Sequence, residues 1–360
     1  MVGPPAPASP RRRCLVPVAD RRYRDDVHRG NAIGAGAVVS LCLAGCASPC
    51  DNISETIMVA EPPAPGTYRA IDAWIDDFVI AGDGGRVLHA GVGSDIELDT
   101  VHYESAVIDL GGATIRGLGS RVYRPMLAVG DGGRVWRSDD VGETWTAVSG
   151  GTTADLHAVG FSNFDAPGVD AAVIVGDDVL LHSADQGLTW TSLPLPVEGA
   201  RLRDVQHVLG VGWFAVGLDG VILFADNDGL QWTAQASPTD RDLIRVHESF
   251  DANASVLVVA REGELLLRDG DQWTAVALDI DGELADADAW TLAMRDGRIA
   301  RREFGTATDA YVPTDVDEPL PPLERIVKDS DPWDLDRTLL LAQDGRLILL
   351  AHTKKRRFCR

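Results

Sequence analysis

The chain has 360 residues, too many for one compact core, so two domains or one repeat architecture is expected. Fifty-five Asp and Glu against 33 Lys and Arg give a formal charge of −22, which argues against wrapping an anionic nucleic-acid backbone. A 45% hydrophobic composition with nine Trp excludes a disordered chain, and five cysteines supply neither a disulfide framework nor paired CxxC zinc knuckles.

Residues 1–29 are rich in Arg and Pro and carry no apolar periodicity. Asn31 to Gly45 then reads NAIGAGAVVSLCLAG, an uncharged run of 15 residues, shorter than the roughly 20 a bilayer-spanning helix needs. Behind Arg21, Arg22, Arg24 and Arg29 it has the form of a secretory h-region. Its end, Leu43-Ala44-Gly45-Cys46, resembles the bacterial lipoprotein signal motif. That resemblance implies cleavage before Cys46, lipidation of its sulfur, and an exported protein held in the membrane by its lipid alone. Ala47 follows, so no inner-membrane retention signal is implied, and an outer-membrane address is expected where there are two membranes. The segment before the arginines is long for such a signal, leaving Val27 or a later codon as an alternative start. Removing residues 1–45 takes away seven Arg and three Asp and leaves 26 basic and 52 acidic side chains, a net of −26. Such a body is repelled by anionic headgroups and does not lie flat on them. Ser48 to Gly66 reads as a Pro-containing tether.

From there a unit of about forty residues recurs: a β-branched run, a tight Gly/Asp turn and a second apolar run. Its copies begin at Phe78 (FVIAGDGGRVLHA), Met126, Ala172, Trp213, Val256, Trp290 and Thr338. Aligned on the position before the turn they fall at Gly82, Gly130, Gly176, Gly217, Ala260, Ala293 and Ala342, at intervals of 48, 46, 41, 43, 33 and 49 residues. Each reads as a β-hairpin, and its near-continuous apolar runs indicate strands covered on both faces. A further short run precedes most copies, as in DLHAVGFS from Asp155, and a Trp-led run follows several. Three or four strands per unit at this period match the blades of a radial β-propeller better than a helical solenoid or a pair of sandwiches. Residues 282–322 are irregular, with an inserted loop at PTDVDEPLPP from Pro313.

The turns before two of the tryptophans share the pattern SxDxGxTW: Ser138, Asp140, Gly142, Thr144 and Trp145, then Ser183, Asp185, Gly187, Thr189 and Trp190. A third, with Asn227, Gly229 and Trp232, keeps the Gly and Trp and replaces the acid; RDGDQW from Arg268 is more worn. These turns resemble the Asp-box of bacterial neuraminidase repeats. The resemblance implies an all-β, seven-bladed propeller over residues 67–351, in which the box joins the third and fourth strands of a blade and is structural. Within such propellers the layout is most similar to the photosystem II assembly-factor type, whose members are largely non-enzymatic binding platforms and use an arginine patch. No comparable cluster is apparent within these blades.

Closure of the ring adds an expectation. The last hairpin ends near Ala351, and His352 to Arg360 looks too short and basic for an outer strand, so Lys354, Lys355, Arg356, Arg357 and Arg360 read as a solvated tail. Glu55 to Ala60, ETIMVA, is strand-like and is expected to supply the outermost strand of the final blade, removing its open edge. Cys50 and Cys359 would then lie near one another, where an exported disulfide is possible.

Catalytic and metal signatures are sparse. The closest approach to a sialidase arginine motif, Tyr123-Arg124-Pro125, lacks the spacing. Turn acids such as Asp83, Asp131, Asp177, Asp219 and Asp344 read as solvated. His89, His102, His157, His182, His207, His247 and His352 show no HExxH or other close ligand spacing, and no turn has the full calcium-loop pattern. No cofactor or metal is expected. The resulting reading is a lipid-anchored, non-enzymatic cell-envelope propeller that binds an unidentified protein or glycan, not nucleic acid. The blade-connecting loops at the central channel mouth form its binding face. The alternative is a secreted glycoside hydrolase with carboxylates converging on that mouth.

Overall fold

The computed structural model describes residues 38–42, 51–74, 77–95, 98–120, 125–162, 170–249, 256–278, 280–288, 291–302, 311–314, 319–327 and 337–356. They form seven antiparallel sheets, the blades of a β-propeller. Six blades are four consecutive strands each, and blade 1, for instance, runs Tyr68–Trp74, Asp77–Gly82, Arg86–Asp95 and Leu98–Asp109. The first strands of blades 2 to 7 are Ile115–Ser120, Leu156–Phe161, Leu202–Val208, Leu243–Glu248, Leu284–Ala287 and Leu323–Val327. First strands of neighbouring blades pack on one another around the axis, so they form the inner ring. Helical turns among the described residues are limited to Asp83–Gly85, Asp131–Gly133 and Leu218–Gly220, and no described helix is long and apolar enough to cross a membrane.

The hairpins expected from the repeat are the second and third strands of the seven blades. In blade 3, Ala172–Gly176 is buried at every position because the blade is covered on both sides, which is why the run does not alternate. One apolar cluster fills each gap between adjacent blades. Between blades 3 and 4 it contains Val173, Leu180, Leu202, Trp213 and Leu223, and the other six gaps are filled in the same way. Lateral burial of sheet against sheet is therefore the core of the molecule.

A single hydrogen bond repeats at the turn of every blade. The residue after the aligned position donates its N–H to the carbonyl just before the first strand: Asp83 to Thr67, Asp131 to Thr114, Asp177 to Asp155, Leu218 to Arg201, Arg261 to Asp242, Arg295 to Glu283 and Gln343 to Pro322, at 2.8–3.1 Å. The backbones approach so closely that a Cβ on Gly130 would sit 2.0 Å from Thr114 O, so that glycine is required by space, since its φ of −168° is ordinary extended backbone. The same bond corrects one alignment. In blade 6 the aligned residue is Met294, paired with Leu284, and not Ala293. The sequence Met294-Arg295-Asp296-Gly297 matches Ala342-Gln343-Asp344-Gly345 of blade 7.

Blade 7 is assembled from both ends of the chain. Its order is Leu323–Val327, Arg337–Ala342, Leu347–Arg356, then Asp51–Ala60, with Val38–Cys42 beyond. The N-terminal strand lies where expected and runs from Asp51 opposite Arg356 to Ala60 opposite Leu347. Two boundaries change. Strand pairing continues to Arg356, past the expected end at Ala351, because Asp51–Thr56 give the basic segment a partner ladder. That strand also occupies most of the expected tether, leaving residues 61–67 as the link into blade 1. Val38–Cys42 pairs with Ser54–Met58 as a fifth strand, outside the strand expected to be outermost. Cys46, Cys50 and Cys359, with most of residues 1–50, lie outside the described residues.

Met58 and Ala60 are buried against Leu339, Leu347 and Leu349 at the joint of blades 7 and 1. Removing residues 46–62 takes away this packing and a ten-residue ladder. Each large buried side chain contributes about 1.5–3 kcal/mol, and a kcal/mol is worth about 1–2 °C in a chain of this size. The deletion is expected to lower the melting temperature by on the order of 10 °C in calorimetry. An unchanged transition would show that the ring closes without this strand.

Candidate functional site

Each sheet has two ends. One carries the turns between second and third strands and the links into the first strands. The other carries the turns between third and fourth strands, where the SxDxGxTW residues lie. In blade 2, Ser138 Oγ donates to Asp140 Oδ1 (2.8 Å) and accepts the Gly142 N–H (2.8 Å). Asp140 accepts the Thr144 N–H (2.8 Å) and hydroxyl (2.6 Å), and Trp145 Nε1 donates to Gly142 O (2.8 Å). Ser183, Asp185, Gly187 and Thr189 repeat this set in blade 3, with Val141, Gly142, Gln186 and Gly187 at positive φ. Trp145 and Trp190 lie half-buried against the clusters between blades 1 and 2 and between blades 2 and 3. In blade 4, Asn227 Oδ1 faces His207 Nε2 at 3.2 Å, and Trp232 Nε1 donates to Gly229 O at 2.8 Å. In blade 5, Arg268 takes up the space, lying over Phe214 at 5.1 Å and paired with Asp271 at 2.9 Å.

These turns also latch blade to blade. From the fourth position of the third strand, His89, Arg137 and His182 donate to Gly142 O (2.9 Å), Gln186 O (3.2 Å) and Asp228 O (3.0 Å) of the next blade's turn. A carbonyl can only accept, so Nε2 of both histidines carries the proton. The repeat position of His89 and His182 thus has a packing role, and among the described residues no three His, Cys, Asp or Glu side chains gather as a metal site. This end of the molecule spends its polar groups on itself.

The opposite end is chemically different. In every blade the first strand bulges at its second residue: Arg69, Arg116, His157, Arg203, Ile244, Ala285 and Glu324. A bulge re-aims its side chain, and over blades 1 to 4 four cationic or imidazole groups meet the turn acids at the channel mouth. Arg69 is bidentate to Asp83 (2.7 and 3.1 Å), and Arg116 bonds Asp131 and lies 3.9 Å from Asp155. Arg203 (2.7 Å) and His157 (3.2 Å) share Asp177 Oδ1. Arg201 pairs with Asp219 at 3.0 Å and Arg346 with Asp344 at 2.7 Å. The turn acids read as solvated do reach solvent and are also ion-paired, and the arginine cluster that was not apparent in the blades is assembled by the ring. One sequence signal marks it: the residue directly after the buried opener of each first strand, in Tyr68-Arg69, Ile115-Arg116, Leu156-His157 and Leu202-Arg203. Successive copies lie about forty residues apart, so the cluster never appears as a charge run.

The charges behave accordingly. The Arg69 hydrogen bond holds Asp83 below the usual carboxylate range. Burial and then Arg203 push His157 down, leaving it mostly neutral near pH 7. Burial opposes ionisation of Asp177, but Arg203 and His157 outweigh it and lower its pKa.

Beyond the mouth pairs, charged residues of blades 4, 5, 6 and 7 pair with one another on the inner strands. Asp286 is fully buried. It accepts from the Ile326 N–H (3.0 Å) and pairs with His247 (2.7 Å). Asp204 accepts the Val246 N–H (3.0 Å) and faces Arg325 from across the ring at 4.0 Å. Arg245, lowered to about 10 by burial, lies 3.6 Å from Glu324, which also holds Arg295 at 3.2 Å. Burial raises the pKa of Asp72. These carboxylates serve the free N–H groups of inner-edge strands and the buried arginines.

No protein-family model and no curated protein sequence matches the chain. Solved structures do match in fold. YCF48 bound to D1 peptide aligns with a TM-score of 0.62 at 14% identity, covering 82% of this chain and 96% of that one. YCF48 from Cyanidioschyzon merolae gives 0.60 at 15% identity, covering 82% and 98%. Virginiamycin B lyase from Staphylococcus aureus gives 0.63 at 8% identity, covering 88% and 99%. At these identities the likeness is one of fold: this chain is a seven-bladed β-propeller, and its neighbours include both a peptide-binding propeller and an enzyme.

The turns also yield an acid-stability test. Burial opposes ionisation of Asp185, yet the Thr189 hydroxyl and N–H, the Ser183 hydroxyl and the Leu188 N–H together hold its pKa down to about 2. A folded pKa below the unfolded value of about 3.9 contributes stability above pH 4 that is lost as the pH falls toward 2. Asp185→Ala should therefore lower the melting temperature by about 2 °C at pH 7. The gap from the parent protein should narrow by pH 2.5; a constant gap would place the effect outside this carboxylate.

Proposed function

We propose that this chain is a non-enzymatic binding propeller of the cell envelope, anchored through lipid on Cys46, that holds an extended segment of a protein partner at its channel mouth. The observation that carries this reading is the bulged ring of Arg69, Arg116, His157 and Arg203, each set against a turn acid at one end of the wheel. The Arg69 and Arg116 pairs, about one third exposed, each stabilise by only about 0–1 kcal/mol. A partner carboxylate can therefore displace a turn acid at little cost. The fold shared with YCF48, which has been solved with a D1 peptide, supports a peptide-holding role for the mouth. Cys46, at the end of an uncharged run behind four arginines, supports the envelope address.

Photo-crosslinking in intact cells, followed by affinity capture, tests the proposal. A discrete protein partner is expected, and Arg69→Gln with Arg116→Gln and Arg203→Gln should cut its recovery at least tenfold while the melting temperature changes little. Recovery unaffected by the triple variant would remove the mouth from the reading. Turnover of aryl glycosides or polysaccharides by residues 47–360, abolished by one mouth Asp or Glu substitution, would replace it with the hydrolase.

A further inference from the structure

The strand register pairs the start of the chain's longest run of consecutive basic residues, Lys354 to Arg357, with the strand that follows Cys46 in sequence. Asp51 pairs with Arg356, Asn52 with Lys355 and Ile53 with Lys354. The paired strands leave blade 7 at the end that carries the SxDxGxTW turns, and Cys46 is five residues before Asp51. Five residues span at most about 18 Å even when fully extended. The segment that read as a long tether is mostly strand, so the wheel is held close to whatever surface carries Cys46.

Charge over the rest of this end argues against a flat contact. Asp139, Glu143, Asp226, Asp228, Asp269 and Asp271 are exposed on the third-to-fourth-strand turns of blades 2, 4 and 5. An anionic leaflet repels them and attracts the corner of blade 7, within a Debye length of about 8 Å at physiological salt.

We infer that the paired ends of blade 7, with Lys354, Lys355 and Arg356, form a docking site for anionic lipid headgroups that acts beside the lipid on Cys46. The inference rests on the lipid-anchor reading above. It places the wheel tilted on blade 7, with the channel mouth at the end directed away from the bilayer. Two weak signals then act together, as surface anchoring commonly requires. The same basic strand end would also attract other polyanions, and the test separates these from lipid.

The test uses residues 47–360 made without lipid, which retain all seven blades. It measures co-sedimentation with vesicles of phosphatidylcholine alone and of phosphatidylcholine mixed with phosphatidylglycerol. Binding is expected only to the mixed vesicles and should be lost at high salt. Each basic residue removed should weaken it roughly five-fold, so Lys354→Gln, Lys355→Gln and Arg356→Gln together should cost on the order of a hundredfold. The control Arg201→Gln, Arg298→Gln and Arg346→Gln removes the same charge from the opposite end and should bind as the parent does, with melting curves checking that both variants are folded. No binding to mixed vesicles, equal binding to both kinds, or equal loss in both variants would overturn the site. Binding to duplex DNA with no binding to mixed vesicles would do the same. Because no acyl chain is present, failure here leaves lipidation untouched. Fatty-acid labelling of the full chain against Cys46→Ala tests that separately.

Discussion

Everything in this molecule depends on sheets burying one another sideways around a closed circle. A four-stranded blade with apolar residues on both faces cannot be stable alone, because each face exposes side chains to water. Each gap between blades therefore holds a cluster built from two blades, and an unfilled gap would expose two faces at once. This explains the double duty of blade 7. Its outer strand comes from residues 51–60, so the last cluster, with Met58, Leu347, Leu349 and Tyr68, ties the beginning of the described body to its end. A ring closed this way gains loop-closure stabilisation and hides a sheet edge that would otherwise recruit other strands.

The inner ring carries the consequence for chemistry. A first strand has a neighbour on only one side, so its inward N–H groups need acceptors. Asp204 and Asp286 supply them to Val246 and Ile326 of the next blade (blade 5) and the next (blade 7), respectively. Those acids in turn require cations, which Arg325, Arg245 and His247 provide. The bulge at the second residue recurs in all seven blades; in blades 1 to 4 it sets one further side chain against a turn acid at the mouth, whereas Ile244, Ala285 and Glu324 of blades 5 to 7 are buried. Ionic groups thus appear near the axis for structural reasons, and the mouth becomes charged because the bulged positions of blades 1 to 4 carry Arg or His.

Much of this was legible in the sequence, and the reason is periodicity. Gly-Asp turns at a regular interval, runs such as AVIVG with no alternation, and ETIMVA before the first copy are local patterns. They report burial on two faces and a missing outer strand. What stayed hidden depends on residues brought together by the circle. Arg69, Arg116, His157 and Arg203 are each an ordinary polar residue after an apolar one. Their grouping needs both the bulge and the ring, and the acid that pairs with each is contributed by a turn outside its own strand. The register of Lys354 to Arg356 against Asp51 to Ile53 was invisible for a similar reason, since a basic run shows no strand preference until a partner ladder exists. The misplaced residue in blade 6 shows the limit from the other side: Ala293 and Met294 are equally apolar, and only the bond from Arg295 to Glu283 decides between them.

The two ends of the wheel differ in how readily their bonds can be exchanged, and this is what separates a scaffold from a working surface. At the SxDxGxTW end, serine, aspartate and threonine close on their own turn, and His89, Arg137 and His182 cross to the next blade. The threonines are exposed, but breaking the bonds of Ser138, Ser183 or His182 leaves a buried group without a partner, which costs about 1–3 kcal/mol. At the mouth, Arg69 and Asp83 are more than one third exposed, so water compensates either one when the pair opens. Between them, Asp286 and Arg245 are too deeply buried to exchange anything. An incoming carboxylate would thus meet one layer of replaceable bonds backed by a layer that cannot move, and the mouth could change partners without loosening the ring.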